Sequence, residues 1–134
     1  MTLIEWTPTL SVSIAMIDEQ HKKLFGYMNE LYDAQEQGKT QDVLIRIFDS
    51  LEEYTRTHFS LEEEYFEKFG YAGKEPHIAQ HQDFIRKLGD LRKQILAGNE
   101  DAEDLLDFLV DWLMHHIKGS DQGYVQCFHD HGLF

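Results

Sequence analysis

Four stretches of this 134-residue chain repeat apolar residues every three or four positions, and each interrupts its own apolar stripe with histidine or carboxylate. That rhythm belongs to helices that bury one face. The first stretch runs from about Asp18 to Gln37 and aligns Ile17, Leu24, Phe25, Met28, Leu31 and Tyr32 with His21. The second, from Thr40 to about Phe69, aligns Leu44, Ile47, Phe48, Leu51, Tyr65, Phe66 and Phe69 with His58 and Glu62. The third opens near Pro76 and sets His77 and His81 in line with Phe84, Leu88, Leu91 and Ile95. The fourth begins around 99–101 and presents Leu105, Leu109, Trp112, Leu113 and His116 inward.

The punctuation between these stretches is that of helix ends. Asp18 and Thr40 are suited to N-caps, Gly38 to a left-handed terminator, and Pro76 to a first turn, where its missing N–H is not needed. Linkers of only a few residues make sequential helices antiparallel neighbours. The expectation is an all-α, up-down-up-down antiparallel four-helix bundle forming one domain over 1–134. Within it, 1–17 forms an extended N-terminal arm, 18–118 the bundle, and 119–134 a short C-terminal tail without assigned structure.

Charge narrows the partners. A formal net charge of −13 argues against nucleic acid and anionic membrane surfaces. No apolar run approaches the roughly 20 residues of a membrane span, and the N-terminus has no basic leader region. The lone Cys127 allows no intrachain disulfide and suits a reducing compartment, so a cytoplasmic location is expected.

Imidazoles and carboxylates on buried stripes are costly unless something satisfies them, and seven of them converging on one core call for cations. Residues four apart share a helix face, so His58 with Glu62 and His77 with His81 can each close on one site. Asp121 stands five positions after His116, roughly 140° around an ideal helix at about 100° per residue. It reaches the same site only if the helix ends, tightens or bulges, and Gly119 is placed for that. Imidazole suits iron, copper and zinc, while carboxylates can bridge two ions. Two octahedral ions share twelve coordination positions. Five imidazoles, two bridging carboxylates and one bridging oxygen fill all but one, leaving room for a small exogenous molecule. His115, His129 and His131 fall outside the pattern.

The same residues carry a resemblance to the hemerythrin family, specifically its single-domain bacterial members, over almost the whole chain. Trp6 and Val12, then Ile17-Asp18-Glu19-Gln20-His21, resemble the family's entry to the first helix. The segments His58-Phe-Ser-Leu-Glu62, His77-Ile-Ala-Gln-His81 and Trp112-Leu-Met-His-His116-Ile-Lys-Gly-Ser-Asp121, followed by Tyr124, match its other motifs. The resemblance implies a non-haem di-iron centre that binds dioxygen reversibly. His77, His81 and His116 would ligate one iron, His21 and His58 the other. Glu62 and Asp121 would bridge both beside an oxo or hydroxo group. Dioxygen would bind at the iron held by His21 and His58. Phe59, Leu113 and Ile117 match positions near the oxygen pocket. The expected role is an oxygen carrier, store or local supply, monomeric, with a protein recipient of oxygen. Alternatives are sensing of oxygen, redox state or nitric oxide through a partner, weak oxidase- or peroxidase-like turnover, and structural zinc.

Overall fold

The computed structural model describes residues 6–38, 40–99 and 101–134, with the side chains of 40–42 left undescribed. Four long helices follow one another: α1 (Ala15–Glu36), α2 (Thr40–Phe69), α3 (Lys74–Leu96) and α4 (Ala102–His115). Each packs against its neighbours in the order α1, α2, α3, α4 and back to α1, which closes the expected bundle. No strand occurs among the described residues, and none of their helices is long and apolar enough to cross a membrane.

The helix ends follow local chemistry. Gly38 and Gly98 sit at φ +70° and +80°, left-handed conformations that only glycine adopts cheaply, and these stop α1 and α3. Asp101 caps α4 in a reciprocal box. Its carboxylate accepts from the Asp104 N–H, and the Asp104 carboxylate accepts from the Asp101 N–H at 2.8 Å. Pro76 lies in the first turn of α3, as its chemistry predicts.

Two expectations need correction. α1 begins at Ala15, one turn before Asp18, so Asp18 is not its N-cap. Its carboxylate instead reaches back to the Val12 N–H at 2.8 Å and the Ser11 hydroxyl at 2.6 Å, fastening the arm to the positive end of the helix. The arm itself is only partly extended, because Pro8–Leu10 form a 3-10 turn.

The tail, which the sequence left without assigned structure, is folded. After α4 the chain makes a π turn (His116–Ser120), a 3-10 turn (Asp121–Tyr124) and a short helix α5 (Val125–Asp130). Tyr124 and Phe128 are fully buried there, against Val12, Ile14 and Ile17 of the arm and α1 and Phe66 of α2. His129 Nε2 donates to the Ser13 carbonyl, and Gln122 donates to the Ser11 carbonyl, so tail and arm close one end of the bundle together. Burying each large apolar side chain contributes about 1.5–3 kcal/mol, enough to hold a six-residue helix that would not persist alone. The interior thus has two apolar clusters, a large one among α1–α4 and a smaller one under α5.

Candidate metal centre

Between those clusters lies a polar layer. His21, His58, Glu62, His77, His81, His116 and Asp121 all meet there, none more than 3% exposed. Phe59 of the large cluster stacks on His81 with ring centroids 3.8 Å apart, and Phe66 of the small one meets His77 edge-on at 4.8 Å. The seven positions singled out in the sequence are therefore brought together: one from α1, two each from α2 and α3, His116 from the start of the π turn that follows α4, and Asp121 from just beyond that turn.

Asp121 arrives through that π turn. Its N–H bonds to the carbonyl of His116, an i→i+5 closure that turns the fifth residue back over the first. The α-helical offset that would have aimed the carboxylate aside is removed by one wider turn.

Both carboxylates face histidines of two groups. Asp121 Oδ1 lies 3.0 Å from the Nε2 atoms of His77 and His116, while Oδ2 lies 3.2 Å from His21 Nε2. Glu62 Oε1 lies 3.2 Å from His81 Nε2 and 3.4 Å from His58 Nε2. Donor atoms of Glu62, His77, His81 and His116 fall within 4.8 Å of one another, as do those of His21, His58 and Glu62. Yet the Nε2 atoms of His77, His81 and His116 and all four carboxylate oxygens are buried without a hydrogen-bond partner. Their lone pairs are close without being aligned as donor and acceptor. So many unsatisfied buried atoms are unstable as they stand and fit a cation pair.

The opposite ring nitrogens explain how three of the five imidazoles hold their aim. His58 Nδ1 pairs with Gln20 Oε1, His81 Nδ1 with Glu63 Oε2 at 2.9 Å, and His116 Nδ1 with Gln80 Oε1 at 2.8 Å. An N–H donated there fixes the tautomer and leaves each Nε2 lone pair turned inward. Every tether crosses to the next element: α1 holds a ring of α2, α2 one of α3, and α3 the ring of His116 at the C-terminal end of α4. Gln80 also accepts from the Ser120 hydroxyl at 2.6 Å, and so grips the π turn. Sequence reasoning passed over Gln20, Glu63 and Gln80. Each stands next to a residue of the seven, and that adjacency was the available signal.

At two of the rings electrostatics favour the neutral form. Burial pushes His58 and His81 down to about 4, so both stay unprotonated near neutrality. Burial also lowers His21, but the adjacent Asp121 outweighs it and the net shift is upward. Burial raises Glu62, whereas Asp121 is held well below its ordinary value because His116, His21 and His77 overcome its desolvation.

A small cavity of about 10 Å³ adjoins the layer, lined by His21, His58 and His116 together with Phe59, Leu113, Ile117, Leu24, Phe84 and Trp112. Phe59, Leu113 and Ile117 thus face it together. Trp112 is half-buried and stacks on His116 at 4.1 Å. A surface groove of about 620 Å³ between α1 and α4 touches none of the seven. The remaining histidines stay outside. His115 is exposed and bonds the Asp111 carbonyl, while His131 bonds the Cys127 carbonyl and stacks on Phe69. Cys127 is half-buried with its thiol near the Phe69 carbonyl, and burial raises its pKa.

Comparison with known proteins gives a family. Residues 12–128 match the hemerythrin HHE cation-binding domain. A bacteriohemerythrin of Pseudomonas aeruginosa is 36% identical over 127 residues, covering 95% of this chain and 82% of that protein. The bacteriohemerythrin of Methylococcus capsulatus is 33% identical, covering 95% and 98%, and the myohemerythrin of Sipunculus nudus is 31% identical, covering 89% and 88%. A crystal structure of wild-type hemerythrin superposes with a TM-score of 0.85 at 33% identity, over 94% of this chain and 98% of that one.

Proposed function

The chain belongs to the hemerythrin family, and from that premise we propose that it binds dioxygen reversibly at a pair of iron ions, as a carrier, store or local supply. His77, His81 and His116 would hold one iron, and His21 and His58 the other. Glu62 and Asp121 would span the two. The observation that carries this reading is the pair of carboxylates, each facing histidines of both groups with no hydrogen-bond partner of its own. When bound, such an iron pair supplies the two electrons that capture of dioxygen requires.

The protein's part is to orient and to exclude. Gln20, Glu63 and Gln80 keep three Nε2 lone pairs pointing inward, so the ligands need little reorganisation on metal binding. Three histidines against two leaves the His21–His58 side with one ligand fewer, and the apolar cavity borders both of those histidines, with His116 of the other group at its edge. At about 10 Å³ and with apolar walls, it sits at the lower limit for holding even one water. A dry cavity protects a bound oxygen species from displacement.

The same walls favour binding over turnover. Two hydroxyls line the cavity, and both are spent on backbone carbonyls: Tyr54 on Gln20 at 2.6 Å and Thr55 on Glu52 at 3.2 Å. Burial also drives the Tyr54 phenol well above its ordinary pKa. Among the described residues lining the cavity, then, no hydroxyl is free to deliver a proton to bound oxygen, as general acid catalysis would need.

Anaerobic reconstitution with ferrous iron tests the proposal. Two irons per chain and a visible band that appears with dioxygen and fades on its removal are expected. Failure to take up two irons, or irreversible oxidation on first contact, would sink it.

A further inference from the structure

We propose that Thr55 is the gate through which dioxygen moves between solvent and the buried cavity, entering from the groove between α2 and α3. This rests on the oxygen-binding reading above. The groove measures about 390 Å³ and is lined by Glu52, Thr55, Arg56, Ile85, Leu88 and Gly89. Thr55 is the residue that lines both that groove and the inner cavity. It is only 2% exposed, so at this point a single small side chain separates the two spaces. Its hydroxyl is committed to the Glu52 carbonyl on its own helix and is not left to anchor water in the passage. Ile85, half exposed in the groove, and Leu88 behind it give the approach an apolar character that an uncharged gas shares and ions do not.

A rival entrance is the pocket of about 370 Å³ between α1 and α2, which also reaches Tyr54 and His58. Its wall is much stiffer. The Tyr54 ring stacks on His58 at 17° and its hydroxyl is bonded to the Gln20 carbonyl, while Gln20 also holds His58. Opening that wall breaks hydrogen bonds and disturbs a ring of the centre. Opening at Thr55 breaks one hydrogen bond, to the Glu52 carbonyl of its own helix, and leaves the rings of the centre in place.

The test compares wild type with Thr55→Ile, Thr55→Ala and Thr55→Val. In iron-loaded protein, stopped-flow rates of oxygen uptake and release should both fall about tenfold in Thr55→Ile, since added bulk in a packed wall must be displaced at each passage. Both should rise in Thr55→Ala and stay unchanged in the isosteric Thr55→Val, with oxygen affinity constant throughout. A second readout omits iron: collisional quenching by dioxygen of fluorescence from a tryptophan set in the fully buried cavity wall by Phe84→Trp, in a Trp6→Phe, Trp112→Phe background, should weaken in Thr55→Ile. Glu53→Trp, at the rival pocket, should leave every rate alone. Equal rates across the Thr55 series overturn the gate, as does a changed affinity with only one rate altered, or slowing by Glu53→Trp. If wild type takes up iron but never releases oxygen, the oxygen-binding reading fails, and the fluorescence series still decides whether Thr55 admits the gas.

Discussion

Gln80→Leu tests how far the centre depends on residues that never touch its inward-facing atoms. The substitution keeps side-chain bulk and removes the Oε1 that accepts from both His116 Nδ1 at 2.8 Å and Ser120 Oγ at 2.6 Å. His116 then loses the bond that fixes its tautomer, and the π turn that delivers Asp121 loses its clasp to α3. Losing one such orienting partner typically costs 10–100-fold in metal affinity, about 1.4–2.7 kcal/mol. Gln80 secures two of the seven positions, so its loss should fall at or beyond the upper end of that range. Gln20→Leu, which frees His58 alone, should fall nearer the lower end. The assay is competition for ferrous iron against a chelator of known affinity under anaerobic conditions, with far-ultraviolet circular dichroism to verify that both variants keep their helices. Wild-type affinity in Gln80→Leu, or a larger loss in Gln20→Leu, would refute the reasoning that these tethers hold the centre in place.

Leu113→Ala or Ile117→Ala should enlarge the apolar cavity and admit water, so oxidation of the oxygen-loaded protein to the diferric form should accelerate; unchanged decay of the visible band in both would remove these residues from the pocket. Phe128→Ala should destabilise the fold by about 3–5 kcal/mol in urea melts, whereas Phe134→Ala, 70% exposed, should change it by less than about 0.5 kcal/mol. Metal-free protein should lose stability as pH falls from 6.5 toward 4. His58 and His81 have folded pKa values depressed to about 4, so over that window the unfolded chain binds more protons than the folded one. Each ring accounts for up to about 3 kcal/mol, offset in part by His21, whose shift runs the other way. Urea midpoints at pH 7, 5.5 and 4 read this directly, and a midpoint that rises on acidification would contradict it.

The helices and the seven converging side chains were legible because both depend on spacing along one segment. Even the difficulty at Asp121 was visible: a five-residue offset demanded a break near Gly119, and the break is a π turn. What spacing does not convey is which helix lies beside which. Gln20, Glu63 and Gln80 serve rings on the following helix, so their purpose emerges only once the bundle is assembled. The tail was hidden for a related reason. Tyr124 and Phe128 form too short a pattern to read as a helix, and their burial depends on Phe66 and the arm, far away in sequence. Asp18 looked like a cap because its type and position suit one, while the preceding turn from Ala15 has no polar cap to announce it.

The polar layer between the two apolar clusters also acts as a waist. Hydrophobic cohesion is interrupted there, and the halves on either side are joined by the continuous backbones of α1, α2 and α3 and by buried polar side chains that lack hydrogen-bond partners. Filling the layer would couple the distal bundle to the arm and α5, so that both ends open together in amide exchange. Emptying it would let the α5 end fray at a free energy of its own. The protection of amides near Phe128, well away from any ligand, would then report whether the centre is filled.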